Sequence, residues 1–204
     1  MTRLDGGFDR ALDDLDLRTK TRSPVLDYLH RLLDEYRELE EGEVATYIPE
    51  LGRADPNWFG ICVVTADGHV YEVGDTDLDF TVQSISKPFV FGMALEDRGR
   101  DAVLERVGVE PSGNPFNSIV VDDRNRPFNP MVNAGAIVAT GLIRARDDEE
   151  RMERIVAAFS HYAGRRLQLD ETIYRSESAT GDRNRAIAHL MRSFGNLEGD
   201  VDAI

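Results

Sequence analysis

Apolar positions in the first part of the chain predict one helix followed by a β-hairpin. Between residues 24 and 40 they recur at helical spacing, after Ser23 as N-cap and Pro24 at the first helical position. Gly42 is expected to end this helix. Two apolar or alternating runs, 59–65 and 69–73, flank an Ala-Asp-Gly turn and predict a pair of antiparallel strands.

From Ser84 onward the pattern is helical. Apolar spacing predicts helices over 85–97, 101–107, 149–163, 170–178 and 183–194. Asp148 is the expected N-cap of the helix 149–163, and a helix of small residues is expected to open at Asn129-Pro130. The loop 110–129, rich in Pro, Gly and Asn, is long enough to favour a functional role.

Composition excludes several classes of protein. The 204 residues are 41 % apolar, enough for the core of one large or two small domains. No run approaches the roughly 18 apolar residues of a membrane span, and the N-terminus has no apolar leader, so a soluble cytoplasmic protein is expected. The net charge of −14 argues against nucleic acid and anionic membranes as partners. One cysteine, Cys62, and four histidines without paired spacing predict neither an intrachain disulfide nor a metal site.

Lysine usage indicates where chemistry could lie. The chain has two lysines, Lys20 and Lys87, against twenty-two arginines. A lysine amine can be made neutral by its surroundings, whereas a guanidinium stays charged. Ser84 precedes Lys87 by three residues, and positions i and i+3 share one face of a helix. The two residues are a candidate nucleophile and base, although a cap and a solvated first-turn lysine would give the same spacing.

The wider string around this pair resembles a known motif. FTVQSISKPF, at 80–89, resembles the nucleophile motif of the serine-dependent glutaminases, which share the fold of serine β-lactamases and penicillin-binding proteins. Four more segments resemble motifs of that family, in the family's order: TYIPEL (46–51), PSGNPFNS (111–118), NPMVNAGA (129–136) and SESATGDRNRA (176–186). The resemblance runs from about residue 24 to the end. It implies an α/β (α+β), β-lactamase-like fold, a helical domain plus an antiparallel sheet of which only the first strands are present.

The same resemblance assigns roles to individual residues. It implies that Ser84 is acylated and that Lys87 is its base. The positions that match glutamine-binding residues, with Ser84 itself, are Tyr47, Gln83, Asn133, Glu177 and Asn184. Their chemistry suits glutamine, because a carboxylate can receive its ammonium and amide or phenol donors can meet its carboxylate. Singly, Glu177 could be a solvated carboxylate, Asn133 a helix–helix contact and Tyr47 a packing residue. Arg183 and Arg185, beside Asn184, fit a surface or ion-pair role at least as well as carboxylate binding.

The implied activity is hydrolysis of the side-chain amide of L-glutamine to L-glutamate and ammonia, with no cofactor. A homo-oligomer, dimer or tetramer, is expected. Residues 1–23 are expected to form an N-terminal arm, and 24–204 a catalytic domain that lacks its C-terminal strands, since no Lys-Ser-Gly or Lys-Thr-Gly string is present. Two alternatives stay open: a family member that binds glutamine, another amino acid or a partner without turnover, and a serine hydrolase of this fold acting on another amide.

Overall fold

The computed structural model describes residues 23–115 and 117–201, and these fall into two compact units. The hairpin unit contains the described residues up to Val44 together with Ala54–Asp79. The helical unit contains Ala45–Arg53 and the described residues from Phe80 onward. Apart from Ser23, the arm predicted over 1–23 lies outside the described residues.

The hairpin unit consists of one helix and two strands. Helix α1, Pro24–Tyr36, packs Leu29 and Leu33 against Val73 of the antiparallel pair β1, Gly60–Val64, and β2, Val70–Gly74. Oγ of Ser23 accepts a hydrogen bond from the Leu26 N–H at 3.4 Å, which confirms the predicted cap.

The predicted helix 24–40 ends earlier than its apolar spacing indicated. The acidic residues that follow Tyr36, among them Glu38, Glu40 and Glu41, would meet the negative end of the helix dipole. Leu39, counted in the apolar stripe, is 61 % exposed, so it adds little packing that could extend the helix.

The helical unit has six helices among its described residues. They are α2 (Ser86–Arg98), α3 (Arg100–Leu104), α4 (Asn133–Leu142), α5 (Asp148–Ala163), α6 (Glu171–Ala179) and α7 (Asp182–Ser193), with 3₁₀ turns at Leu51–Arg53 and Gln83–Ile85. The described residues of 110–129 form a loop, as predicted, with a bridge between Val121 and Pro127. None of the helices described is long and apolar enough to cross a membrane.

Two predicted helix starts are wrong. The N-cap of α5 is Asp147, whose Oδ1 accepts from the Glu150 N–H at 2.8 Å, so Asp148 lies inside the first turn. The small-residue helix begins at Asn133 instead of 129, because the Asn129 side chain accepts from the N–H groups of Met131 and Val132 and forms a turn there. An Asn-Pro pair fits a helix start or a turn, and here the side-chain hydrogen bonds favour the turn.

Helix α4 lies at the centre of the core of the helical unit. Ala134 and Val138 pack against α7 through Ile187 and Met191, and Ala139 packs in a second cluster with Val90 of α2. The small side chains of α4 allow these neighbouring helices to approach closely. The helix is therefore fixed on two sides, and its N-terminus is placed by the core.

The N-terminal turn of α4 generates a prediction about Gly135. A Cβ on Gly135 would overlap the Asn129 carbonyl oxygen and lie 2.7 Å from its carbon, both backbone atoms that cannot rotate away. Gly135→Ala should lower the free energy of unfolding by at least about 2 kcal/mol, measured by urea denaturation.

Gly92 provides the matched control, because it is also inside a helix but has nothing within 4 Å of an added Cβ. Gly92→Ala should leave stability unchanged or raise it by up to about 1 kcal/mol through helix propensity. Equal effects of the two substitutions would contradict the close approach at Gly135.

Candidate active site

Ser84 and Lys87 lie where a 3₁₀ turn continues into α2. Ser84 is in the turn Gln83–Ile85 and is exposed, whereas Lys87 is in the first turn of α2 and is half-buried. Ile85 and Ser86 have helical dihedral angles, so the chain from Ser84 to Lys87 follows one continuous helical path. At this spacing the two Cβ atoms share a face, roughly 5–6 Å apart. The residues that lead from β2 to this turn, 75–82, form no strand.

Gln83, next to Ser84, has an uncommon backbone conformation. Its φ of 40° lies in a region that residues with a side chain seldom occupy. Three hydrogen bonds hold it: Ser86 Oγ donates to its carbonyl oxygen at 2.7 Å, its Nε2 donates to Thr81 Oγ1 at 3.2 Å, and Tyr47 Oη donates to its Oε1 at 3.0 Å. Strained residues of this kind concentrate at functional sites, where the surroundings fix them.

The Lys87 amine is in contact with the start of α4. Its Nζ donates to Asn133 Oδ1 at 2.8 Å and to the Met131 carbonyl oxygen at 3.0 Å. Burial of the amine lowers the pKa of Lys87 below its ordinary value. A neutral amine has two N–H donors and one lone pair, so it can satisfy both acceptors and still accept a proton.

Tyr47 links the turn of Ser84 to α6. Its side chain is 60 % exposed, and its hydroxyl donates to Gln83. Partial burial, followed by the negative charge of Glu177, raises the pKa of Tyr47 above its ordinary value. Glu177 is exposed on α6. One residue away, the Ser176 hydroxyl lowers the pKa of the Glu50 carboxyl by hydrogen bonding, which connects the segment of Tyr47 to the same helix.

Asn184 lies in the first turn of α7, after the break at Gly181 that separates α6 from α7. It is exposed, and within the part of the chain that is described its side chain makes no hydrogen bond to the other candidate residues. Its neighbours have other contacts. Arg183 donates to the carbonyl oxygen of Asn117 at 2.8 Å, and Arg185 donates to that of Ser178 at 2.7 Å and pairs with Asp182 at 3.5 Å. These contacts favour the surface and ion-pair interpretation of both arginines.

Hydrogen bonds therefore join Lys87 to Asn133 and Tyr47 to Gln83. Ser84 lies one helical turn before Lys87 and next to Gln83, and Glu177 acts on Tyr47 through its charge. Sequence reasoning missed the Met131 carbonyl and the Thr81 hydroxyl. Thr81 stands inside the recognised string and is polar, so it could have been considered. The Met131 carbonyl could not have been predicted, because every residue type has a backbone carbonyl. Among the described residues no three His, Cys, Asp or Glu side chains form a group that could bind a metal ion.

The sequence and structure are similar to those of known glutaminases. The glutaminase family model matches residues 42–204. A glutaminase of Microcystis aeruginosa is 52 % identical over 180 residues, and glutaminase 2 of Bradyrhizobium diazoefficiens is 54 % identical over 184 residues. Among solved structures, the crystal structure of Mglu in its glutamate form superimposes with a TM-score of 0.81 at 42 % identity, over 89 % of this chain and 42 % of that one. The predicted α+β fold class is confirmed by this likeness.

The chain spans about half, or less, of the length of the curated relatives that it matches. The aligned parts cover 88 % and 90 % of this chain but 53 % of the Microcystis protein and 30 % of the Bradyrhizobium protein. The match nevertheless includes every candidate residue from Tyr47 to Asn184. On this similarity of sequence and structure, the chain belongs to the glutaminase family.

Proposed function

We propose that the protein hydrolyses the side-chain amide of L-glutamine, with Ser84 as nucleophile and Lys87 as base. The observation that carries this proposal is the environment of the Lys87 amine. The amine is half-buried, donates hydrogen bonds to two uncharged acceptors and lies one helical turn from an exposed serine. Membership of the glutaminase family supports the substrate and the overall reaction.

The proposed reaction has two steps that share one proton carrier. Ser84 Oγ attacks the carboxamide carbon while its proton passes to the Lys87 Nζ lone pair, and the resulting ammonium protonates the departing nitrogen. Ammonia leaves and a γ-glutamyl ester forms on Ser84. Water, deprotonated by the same amine, then cleaves the ester to glutamate and restores Ser84. The backbone N–H of Ser84 is proposed as one donor to the oxyanion.

The remaining candidate residues supply groups that complement an amino acid. Glu177 is proposed to bind the α-ammonium, and Tyr47, Gln83, Asn133 and Asn184 to provide neutral contacts. Since Oδ1 of Asn133 accepts from Lys87, this residue can offer a ligand its Nδ2 donor, which suits a carboxylate. Mglu, whose structure resembles this one, was crystallised in its glutamate form, which supports an amino-acid ligand of this size and charge.

A second candidate function is glutamine binding without turnover, because the contacts proposed for Glu177 and Asn184, both exposed, do not require Lys87 to act as a base. Ammonia release separates the two functions, because binding without turnover gives none. The predicted homo-oligomer, cytoplasmic location and division into an arm and a partial catalytic domain stay predictions.

Substitution of the two proposed catalytic residues tests the first function. Ser84→Ala should reduce ammonia release from glutamine at least about 10³-fold, since no other group would form the ester. Lys87→Arg should reduce it at least about 10²-fold, because a guanidinium cannot become neutral and accept the serine proton. Lys20→Arg, the same change at the other lysine, is the matched control and should leave activity intact. Full activity in Lys87→Arg would refute the role of Lys87.

The pH profile should report the state of the lysine. Burial lowers the pKa of Lys87, and the base must be neutral to act. Therefore kcat/KM should rise with pH through the lowered pKa and level off above it, with the rise centred below 10.5, the ordinary value. A profile that follows a group of unshifted lysine pKa would contradict the burial of this amine in the working enzyme.

The role of Glu177 can be measured without catalysis. In a Ser84→Ala background, Glu177→Gln should weaken glutamine binding at least about tenfold by calorimetry, because the amide cannot form a charge-assisted contact with the ammonium. Glu171→Gln is the matched control, since Glu171 is also exposed on α6 but pairs with Arg175 at 3.6 Å. Equal weakening by both substitutions would indicate a general charge effect instead of a contact at Glu177.

A further inference from the structure

We propose that Asn129 is a positioning residue for the base. Its side chain fixes the turn that presents the Met131 carbonyl and the Asn133 side chain to the Lys87 amine. The proposal rests on the proposed function only in treating Lys87 as the base, and its geometry is independent of any substrate.

The Asn129 side chain makes hydrogen bonds in two directions. Its Oδ1 accepts from the N–H of Met131 at 3.0 Å and from that of Val132 at 3.2 Å. Its Nδ2 donates to the carbonyl oxygen of Glu110 at 2.9 Å, at the other end of the long loop. The side chain therefore closes the turn that leads into α4 and connects this turn to the loop.

The backbone of Asn129 fixes the same turn from a second side. Its carbonyl group lies against Gly135, where no side chain could fit. Asn129 thus contacts Met131, Val132 and Gly135, and the last two lie on either side of Asn133. The segment from Met131 to Asn133 therefore has little freedom to move away from Lys87, whose Nζ contacts both of these residues.

This turn supplies two hydrogen-bond acceptors to the amine. Neither Met131 nor Asn133 carries a charge, and α4, which packs against α2, has no titratable residue between Asn133 and Leu142. The charged residues of α2 beyond Lys87, namely Glu96, Asp97 and Arg98, lie nine to eleven residues along the helix, at least about 13 Å by its rise, and Asp97 pairs with Arg154. The neighbouring elements also contribute Asp101 on α3, Tyr162 of α5, whose ring packs on Phe89, and Glu177, which acts on Tyr47. If the turn loosens, water can replace both acceptors and solvate the ammonium.

The pKa of Lys87, measured directly, tests the proposal. In protein labelled with [ε-¹³C]lysine on a Lys20→Arg background, Lys87 gives the only lysine signal. Asn129→Ala should raise the pKa of Lys87 by roughly 0.5–1 pH unit toward the ordinary lysine value, because relief of burial favours the charged form. Asn129→Ser keeps an acceptor for the turn and should leave this pKa close to that of the parent protein.

Both variants lose the contact to Glu110, so their difference isolates the hydrogen bonds to Met131 and Val132. A folded Asn129→Ala variant with an unchanged Lys87 pKa would overturn the proposal. If circular dichroism shows that the alanine variant is unfolded, the serine variant decides. An unchanged pKa then supports the role in positioning. A shifted pKa overturns it, because the serine retains the acceptor to which the role is assigned, and failure to fold overturns it, because the residue would then serve the fold alone.

The titration requires neither substrate nor turnover. A raised pKa in Asn129→Ala, with no ammonia release from the parent protein, would support the positioning of Lys87 while the proposed hydrolysis fails. Ammonia release from the parent protein, with an unchanged Lys87 pKa in Asn129→Ala, would support the proposed hydrolysis while the positioning role fails.

Discussion

The contact between the Asn129 backbone and Gly135 is the constraint on which the site depends. Only a residue without a side chain allows the turn to lie this close to the first turn of α4. The small residues that follow, among them Ala134 and Ala139, place α4 between α2 and α7 in the core. Lys87 of α2 meets the start of α4 for this reason. Core packing therefore sets the distances from Nζ to Met131 and Asn133.

The conformation of Gln83 shows how local contacts can offset strain. A side-chain-bearing residue at positive φ costs on the order of 1–3 kcal/mol. Three hydrogen bonds, to Ser86, Thr81 and Tyr47, hold Gln83, and each contributes about 1 kcal/mol. The stabilisation from these hydrogen bonds is similar in size to the cost of the strained backbone. The turn is therefore stable only while most of these hydrogen bonds are made. The orientation of Ser84 consequently depends on Tyr47, which is 36 residues away in sequence.

The sequence predicted what depends on periodicity and composition. The hairpin, α1 and the helices of the second half were predictable because their apolar spacing reflects the core face. The start of α4 was not, since Asn129-Pro130 suits both a helix start and a turn and only the N–H groups of Met131 and Val132 distinguish them. Motif resemblance identified Lys87 and Asn133 but gave no contact between them. The Met131 carbonyl was beyond prediction, because every residue has one.

The candidate residues differ in what fixes them, and this difference separates chemistry from binding. Lys87 and Asn133 are half-buried and positioned by α2 and α4, whereas Ser84, Tyr47, Glu177 and Asn184 are exposed. A charged contact in water is weaker than one from which water is excluded, so the contribution of Glu177 to affinity depends on how far the bound ligand excludes water from it. The lowered pKa of Lys87 does not depend on that exposed surface, because its cause is burial of the amine itself. Changes that cover or uncover Glu177 and Asn184 should therefore alter glutamine affinity first, and leave the base that activates Ser84 largely unaffected.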